Sequence, residues 1–429
     1  MVGICVSAFK GNADFFSRNL ASVCFSCTKG SLFTMNRTLF LITLAGLSAF
    51  GPFVTDMYLP ALPSLPDAFS TTAFWIQMSM SVCMLGLAAG QLVVGPLSDK
   101  YGRRAPLLAS MWLFVFSTIG CVFAGDIYFF VAMRFLQGVA GAGGIVLSRS
   151  ISSDKYSGLE LVKFLAMIAA VHSIAPVAAP IVGGITLKFA DWRAIFVCLL
   201  ILGVVLLALS YGIGESLEKS RRSKLSALDT FGLFGNVFRD RVALSYILQQ
   251  GAMSAVLFTY ISASPFIFEN VYGLSPMAFS GVFALNAVGI GIGAWISAKF
   301  RRRRHAVVFS GFSISVFVGA AAVAILLGAG VAVVEACLFF TLLSFGIAAP
   351  AAAAIVLDSQ RQNSGTAAAL LGALPFFVGA MAAPTVALGD ERISFSAVAF
   401  SGAVCAAVLS LIARNYQKKF GPTTAEGEN

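Results

Sequence analysis

The sequence predicts an all-α integral membrane protein with twelve transmembrane helices in two six-helix halves. Of its 429 residues, 58% are hydrophobic and only 11% are charged, whereas a soluble protein carries roughly 45 to 50% apolar and about 25% charged residues. A helix uses roughly 20 residues to cross the bilayer core, so about 250 hydrophobic residues supply on the order of twelve spans. That leaves no room for a large soluble catalytic domain.

Apolar stretches separated by polar breaks place the twelve helices in order. The first six run over Leu39–Pro60, Phe74–Pro96, Pro106–Gly125, Ile127–Ser148, Leu161–Leu187 and Ala194–Ile213. The second six run over Val242–Phe268, Ala278–Ala298, Ala306–Leu327, Val331–Leu357, Ser364–Leu388 and Ile393–Ala413. The predicted domains are therefore an N-terminal extension (1–38), a first half (39–213), a linker (214–241), a second half (242–413) and a C-terminal tail (414–429).

The basic residues predict the orientation of these helices. Of the 29 lysines and arginines, 25 fall in segments on one side of the predicted spans and three, Lys188, Arg193 and Arg392, fall on the other. Because Lys and Arg are held on the cytoplasmic side during insertion, we expect both termini to be cytoplasmic. The net charge of +10 is thus a topology signal. It does not indicate nucleic-acid binding, which needs basic residues gathered on one folded surface.

Residues 1–34 fit poorly with the rest of the chain. They have neither a long apolar run nor the layout of a cleaved signal peptide, and we interpret them as a non-conforming extension, or a start assigned upstream of Met35, rather than a functional domain. They hold three of the eight cysteines, including the closely spaced Cys24 and Cys27. The other five lie in predicted spans and are interpreted as small core hydrophobes. No metal or cofactor is expected.

A loop with ordered glycines and charges follows the second predicted span. It reads Gly95-Pro-Leu-Ser-Asp99-Lys-Tyr-Gly102-Arg103-Arg104. We expect Gly95 to allow close helix approach and Gly102 to allow a turn that side chains would hinder. Asp99 and the two arginines would form a charged cluster that acts as a latch between the halves.

Two charged residues lie within predicted spans. Arg134 is about seven residues from the outer end of the fourth span, where a charge costs about 2.5 to 3.5 kcal/mol and therefore faces a cavity or a partner. Asp56 lies in the first span, among Pro52, Pro60 and Pro63. Burial disfavours a charged carboxylate and a nearby arginine favours it, so the two effects would let Asp56 bind and release a proton. The alternative is that Asp56 is a helix-end acid at the outer interface.

These segments resemble known transporter motifs. The Gly95–Arg104 loop is similar to the signature loop of the major facilitator superfamily, and Arg134-Phe-Leu-Gln137-Gly resembles its membrane-embedded arginine motif. The fifth span resembles the superfamily's antiporter motif at Pro176, Pro180, Gly183 and Gly184, with Ala175 and Ala179 where that motif usually has glycine. Helix packing without any encoded transport direction is the alternative for this motif.

The segments Thr55–Pro63, Ser264–Glu269 and Ser364–Gly372 complete a resemblance to the bicyclomycin-resistance (Bcr/CflA) drug-efflux branch, which covers roughly Met35 to Arg414. This resemblance implies proton-driven export of small drugs or metabolites through a bacterial inner membrane, with Asp56 and Arg134 in proton coupling. The expected partners are the small-molecule substrate, protons and the lipid bilayer, and we expect a functional monomer that couples one proton per cycle.

Several other polar or aromatic residues within spans are candidates for the substrate cavity, although helix-to-helix hydrogen bonds would also explain the polar ones. They are Tyr58, Gln77, Gln137, His172, Gln249, Phe266 and Asn286. Glu269, Glu335 and Asp126 fall near outer helix ends, where an interfacial placement explains them more simply.

Other function classes fit less well. A dedicated metabolite exporter or a proton symporter would use the same fold, and a non-transporting receptor is a weaker alternative. An enzyme is not expected, because the only histidines are His172 and His305 and no paired metal-ligand motif occurs. No Gly-x-x-x-x-Gly-Lys-Ser/Thr loop is present for an ATP-driven pump.

Overall fold

The computed structural model describes residues 35–222, 235, 237–360 and 364–420. We number its long helices by span. They are α1 (Arg37–Ser48 and Phe50–Asp56), α2 (Ala73–Tyr101), α3 (Arg104–Val122), α4 (Ile127–Lys155), α5 (Gly158–Thr186), α6 (Trp192–Tyr211), α7 (Arg241–Pro265), α8 (Pro276–Ser297), α9 (Arg303–Leu326), α10 (Val331–Ser359), α11 (Ser364–Ala382) and α12 (Glu391–Phe420).

The predicted helical membrane fold is confirmed. In the described part of the chain, eleven helices are long and apolar enough to cross a membrane, and the pair Arg37–Ser48 and Phe50–Ala68, bent by 40°, supplies the twelfth span. The extension at residues 1–34, the linker residues 223–234 and the tail from residue 421 lie outside the described residues.

Several helices run beyond their predicted ends. Helix α2 continues past Pro96 to Tyr101, and α4 continues past Ser148 to Lys155. Hydropathy marks only the lipid-facing length of a helix, whereas its hydrogen bonds continue into polar surroundings. The start of α4 is fixed by Asp126, whose carboxylate accepts hydrogen bonds from the backbone of Tyr128 and Phe129, which satisfies free donors at the helix N-terminus. Asp126 is therefore a helix cap.

The two halves pack by the same pattern. In the first half α2 packs on α4 and α1 on α5, and in the second α8 packs on α10 and α7 on α11. Backbone lies directly against glycine in both equivalent pairs: Gly86 and Gly138 between α2 and α4, and Gly293 and Gly346 between α8 and α10. A side chain at any of these four positions would collide with the carbonyl of the facing helix. The repeated close approach supports two related halves.

The bundle has two ends, which we call the linker face and the opposite face. The linker face holds the connections at residues 102–103, 156–157 and 298–302 and the ends of the helices that flank the linker. It also holds the end of α10, the start of α11, the start of α1 and the end of α12. The opposite face holds the remaining helix ends. From Arg37 onward the helices form one compact unit. These names do not assign either face to a side of the membrane.

The halves meet closely at the opposite face. A 3₁₀ turn after α1, Leu59–Ser64, contacts α7 and α8, and α5 contacts α8. One apolar core there includes Tyr58 and Leu62 from the first half and Phe266 and Phe279 from the second. We call this contact surface the seam. Helix α2 also contacts α11, where Gln91 lies against Gly372 nearer the linker face. Toward the linker face, α5 is exposed on most of its sides, as at Leu159, Val162 and Ile174.

Candidate functional site

Arg134 lies in the middle of a dense cluster between α1 and α4. Its side chain is fully buried, and one terminal nitrogen donates to the carbonyl of Val54, 3.0 Å away, while the other donates to Gln137. The guanidinium carbon lies 4.2 Å from the ring centroid of Tyr58, a cation–π distance. Gln137 in turn donates to Thr118 over 2.9 Å. The predicted cavity residues Tyr58 and Gln137 are thus packed around Arg134 and hold α1, α3 and α4 together.

Asp56 is the last residue of α1 and is 5% exposed. Its carboxylate accepts a hydrogen bond of 2.6 Å from the hydroxyl of Thr55. It forms no ion pair with Arg134 or with another described cation. Arg134 instead bonds to the Val54 carbonyl and lies over the ring of Tyr58.

The charged loop forms a cluster of hydrogen bonds and ion pairs at the linker face. Arg103 is largely buried and donates to Asp154 over 2.9 Å and to Ser98 over 2.7 Å, and it also bonds to Asp99. Burial acts to lower the pKa of Arg103, but the two carboxylates outweigh it and raise the pKa above its ordinary value. Its positive charge is therefore firmly held by Asp99 and Asp154.

The start of the linker is attached to this loop. Glu215 accepts hydrogen bonds from the backbone N–H of Arg103, 2.8 Å, and of Leu217, 3.0 Å. Burial acts to raise the pKa of Glu215, but these backbone donors lower it below the ordinary value. The side chain of Arg104 is exposed and reaches the carbonyl of Tyr211 over 3.4 Å.

The two glycines of the loop differ. Gly102 ends α2 with φ +96°, a backbone conformation that glycine adopts without strain, so the predicted turn is confirmed. At Gly95 a side chain would meet only ordinary contact, 3.8 Å from Val146, so the predicted close approach was wrong. In this conformation the cluster joins α2, α4 and residue 215, all before the second half. It makes no described ion pair to the second half. A latch that is broken and remade as the cavity switches sides stays a prediction.

The proline and glycine residues of α5 lie where three helices meet. Gly183 is pressed against the carbonyl of Met57 at the end of α1, and Gly184 faces Ser280 of α8 across the seam. Pro180 is buried and Pro176 half-buried. The predicted motif therefore touches both halves at the opposite face.

The other predicted cavity residues are spread over the molecule. Gln77 is buried with both side-chain polar atoms unbonded, and Gln249 donates to Met253 in α7 over 2.6 Å. Phe266 lies in the core at the seam, and half-buried His172 contacts the Ser48 carbonyl at 2.8 Å. Asn286 is 1% exposed and belongs to a separate network. The structure does not bring these residues into one site.

That network contains residues that the sequence-based reasoning missed. Asn286 donates to the hydroxyl of Tyr260, 2.9 Å away, and to the carboxylate of Glu335, 3.1 Å away. The second carboxylate oxygen of Glu335 is buried without a hydrogen-bond partner. Glu335 is half-buried, and its bond to Asn286 was not predicted by a placement near the helix end. Its position five residues into α10 was the available signal.

Hydropathy also misplaces Arg149. The predicted fourth span ends at Ser148, which puts Arg149 in the following loop, but the residue lies within α4, six residues before the end of the helix at Lys155. It is close enough to His172 of α5 for an electrostatic interaction, and it forms no ion pair with any described residue. A lone cation thus lies beside a histidine on the part of α5 that is exposed.

Comparisons with known proteins agree with this architecture. The family model described as "Major Facilitator Superfamily" matches residues 40–384. The "Uncharacterized MFS-type transporter YdgK" of Bacillus subtilis is 34% identical over 370 residues, which are 84% of this chain and 92% of that protein. A "Bicyclomycin resistance protein homolog" of Haemophilus influenzae is 28% identical over 61% of this chain and 66% of its own length. A "Chloramphenicol resistance protein" of Pseudomonas aeruginosa is 29% identical over 55% of each chain.

Solved structures share the fold. A D-xylose–proton symporter superposes with a TM-score of 0.72 at 17% identity, covering 90% of this chain and 99% of that one. The xylose transporter XylE of E. coli in a partially occluded inward open conformation gives 0.69 at 15% identity, with coverage of 92% and 100%. The family match, the relatives and the twelve-helix architecture agree, and the chain belongs to the major facilitator superfamily, a family of membrane transporters rather than enzymes.

Proposed function

We propose that this protein is a proton-coupled secondary transporter of the Bcr/CflA type that exports small amphipathic drugs or metabolites by drug:proton antiport. We place it in a bacterial inner membrane as a functional monomer with both termini in the cytoplasm. The linker face, which carries most of the basic residues, is then the cytoplasmic side. The names of the relatives that match, a bicyclomycin resistance homolog and a chloramphenicol resistance protein, favour drugs as substrates.

The observation that carries the proposal is the position of Asp56. It is a buried acid without a cation partner, at the end of α1 and just before the 3₁₀ turn that contacts the second half at the seam. Moving a carboxylate away from water without a compensating charge is costly, so such a group is readily neutralised by a proton. When the halves separate at the opposite face, Asp56 becomes accessible from that side. Its burial is therefore tied to the conformational change, as proton coupling requires.

The transport cycle follows from this arrangement. In the described conformation the opposite face is closed and the exposed part of α5 borders the linker face. Substrate enters from the cytoplasm while Asp56 releases its proton inward; opening of the seam then releases substrate outside and lets Asp56 take up a proton. Each proton that moves inward contributes about 2.3 kcal/mol per 100 mV. Arg134 keeps α1 fixed to α4, so that Asp56 moves with the whole first half.

Transport in proteoliposomes tests this function, with chloramphenicol and bicyclomycin as probes. We expect an imposed pH gradient to accumulate drug on the acidic side, as antiport requires. Asp56→Asn should abolish accumulation. Asp67→Asn is the matched control, because it makes the same change on an exposed acid eleven residues away and should transport normally. Unchanged pH-driven export by Asp56→Asn would contradict the role of this residue.

The same assay separates the alternatives within transport. A proton symporter would accumulate substrate on the alkaline side, and a dedicated metabolite exporter would move neither drug while accepting a metabolite in counterflow. A protein without substrate flux under any gradient would refute a transport function.

A further inference from the structure

Glu335 occupies an unusual position for an acid in a membrane protein. It lies five residues into α10, and one carboxylate oxygen accepts a hydrogen bond of 3.1 Å from Asn286 while the other is buried and unbonded. Asn286 is almost fully buried and points its amide nitrogen at both Glu335 and the hydroxyl of Tyr260. The three side chains form a continuous chain from α10 through α8 to α7.

This network ends at the seam. Tyr260 is 2% exposed and belongs to the apolar core at the seam. The same core contains Met57, which follows Asp56 in the first half. The network therefore runs from an acid of the second half to the surface that meets the first half.

No cation balances Glu335 in the described helices that pack on α10. These helices are α7, α8, α9 and α11. Helices α8 and α11 contain no titratable side chain, and those of α9 lie at its linker-face end, at Arg303, Arg304 and His305. Tyr260 of α7 is the titratable group joined to Glu335 through Asn286. A half-buried carboxylate without a cation partner is readily neutralised by a proton.

We propose that Glu335 is a second proton-binding carboxyl group of the transport cycle, connected through Asn286 to Tyr260 at the seam. The inference rests on the proposed proton-coupled function. Opening of the seam moves the first half away from Tyr260 and lets water reach this network. Two protons then accompany each substrate molecule, in place of the single proton expected from the sequence.

The proton-to-drug ratio gives the decisive measurement. In proteoliposomes held at zero membrane potential, the chloramphenicol gradient at which net flux stops is about tenfold per pH unit for one proton and about a hundredfold for two. We expect a hundredfold gradient for the unmodified protein and a tenfold gradient for Glu335→Gln. Tyr246→Phe is the matched control for Tyr260→Phe, because Tyr246 is a second buried tyrosine of α7, and its hydroxyl bonds to Gln417. It should keep the hundredfold gradient.

Infrared titration of the purified protein separates failure of this inference from failure of the transport function. The carbonyl band of a protonated carboxyl group should appear on acidification and lose one component in Glu335→Gln and another in Asp56→Asn. Tyr260→Phe should keep both components but change the pH at which the Glu335 component titrates, because Asn286 then has only Glu335 as a described partner. If neither drug is transported and these bands still behave as expected, the transport function fails and the proton-binding pair stands.

Two results would overturn the inference. One is a tenfold chloramphenicol gradient per pH unit in the unmodified protein. This measurement does not depend on the folding of any variant. The other is a carboxyl band that Glu335→Gln leaves unchanged, even where transport is driven by protons.

Discussion

Replacing Gly184 by valine should hold the seam open. Gly184 of α5 faces Ser280 and the backbone of Pro276 in α8: a Cβ atom there would lie 3.2 Å from the Ser280 Cβ and 3.3 Å from the Pro276 carbonyl oxygen, and closer still to the Ser280 hydroxyl. Valine adds two further methyl groups to a contact that has no room for the first carbon. Overpacking of this kind costs about 1 to 3 kcal/mol. The closed arrangement pays that cost alone, so the ratio of closed to open molecules should fall by about 5-fold to about 150-fold.

Distances between spin labels across the opposite face measure this shift. One label on Asp67 of the first half and one on Asn270 of the second, both exposed, report separation of the halves in a cysteine-free background. Gly281→Val is the matched control, because Gly281 lies beside Ser280 in α8 but has open space around it. We expect longer distances in Gly184→Val and unchanged ones in Gly281→Val. If the two variants give the same distance distribution as the unmodified protein, the seam contact does not control closure.

Three further predictions concern single residues. Arg134→Lys keeps the charge but replaces two terminal nitrogens, one bonded to Val54 and the other to Gln137, by a single one. Leaving the buried Val54 carbonyl unpaired should cost about 1 to 3 kcal/mol of the free energy of unfolding, seen as a lower melting temperature in detergent. Because the pKa of Glu215 is lowered in the folded protein, its stabilising effect is present above the pKa of the unfolded chain and lost as pH falls through the lower folded value. The melting temperatures of the unmodified protein and Glu215→Gln should therefore differ at neutral pH and converge in acid well below about pH 4. Gly102→Ala places a side chain beside Glu215 at φ +96°, ψ 166°. This strained backbone should lower the free energy of unfolding by about 1 to 3 kcal/mol, measured as a lower melting temperature. For each of the three variants, a melting temperature at neutral pH equal to that of the unmodified protein would contradict the contact on which the prediction rests.

The helices were predictable because each one must bury about the same apolar length in lipid. The same reasoning could not find the ends of α2 and α4, since the last turns of both helices carry polar residues such as Asp99 and Asp154. The predicted end of the fourth span at Ser148 therefore leaves Arg149 outside the helix, although it lies inside α4.

The buried charges were predictable as exceptions, but their partners were not. Arg134 stands out in an apolar stretch, yet the group that accepts its hydrogen bond is a backbone carbonyl, which carries no sequence signal. Glu335 looked interfacial because it is near a helix end. Only the packing of α8 against α10 brings Asn286 beside it. Contacts between residues far apart in the chain depend on helix rotation, which hydropathy does not determine.

The glycine pairs of α2/α4 and α8/α10 are repeated in the two halves, but the buried charges are not. Four residues before Gly138 in α4 stands Arg134, whereas four residues before Gly346 in α10 stands Leu342. Glu335 of α10 has no acidic counterpart in α4, where the residues from Ile127 to Phe135 include no acid. A charge needed for the proposed transport is therefore supplied by one half and has no equivalent in the other. The symmetry of the two halves is a symmetry of backbone packing, and their ionisable side chains make them chemically unequal.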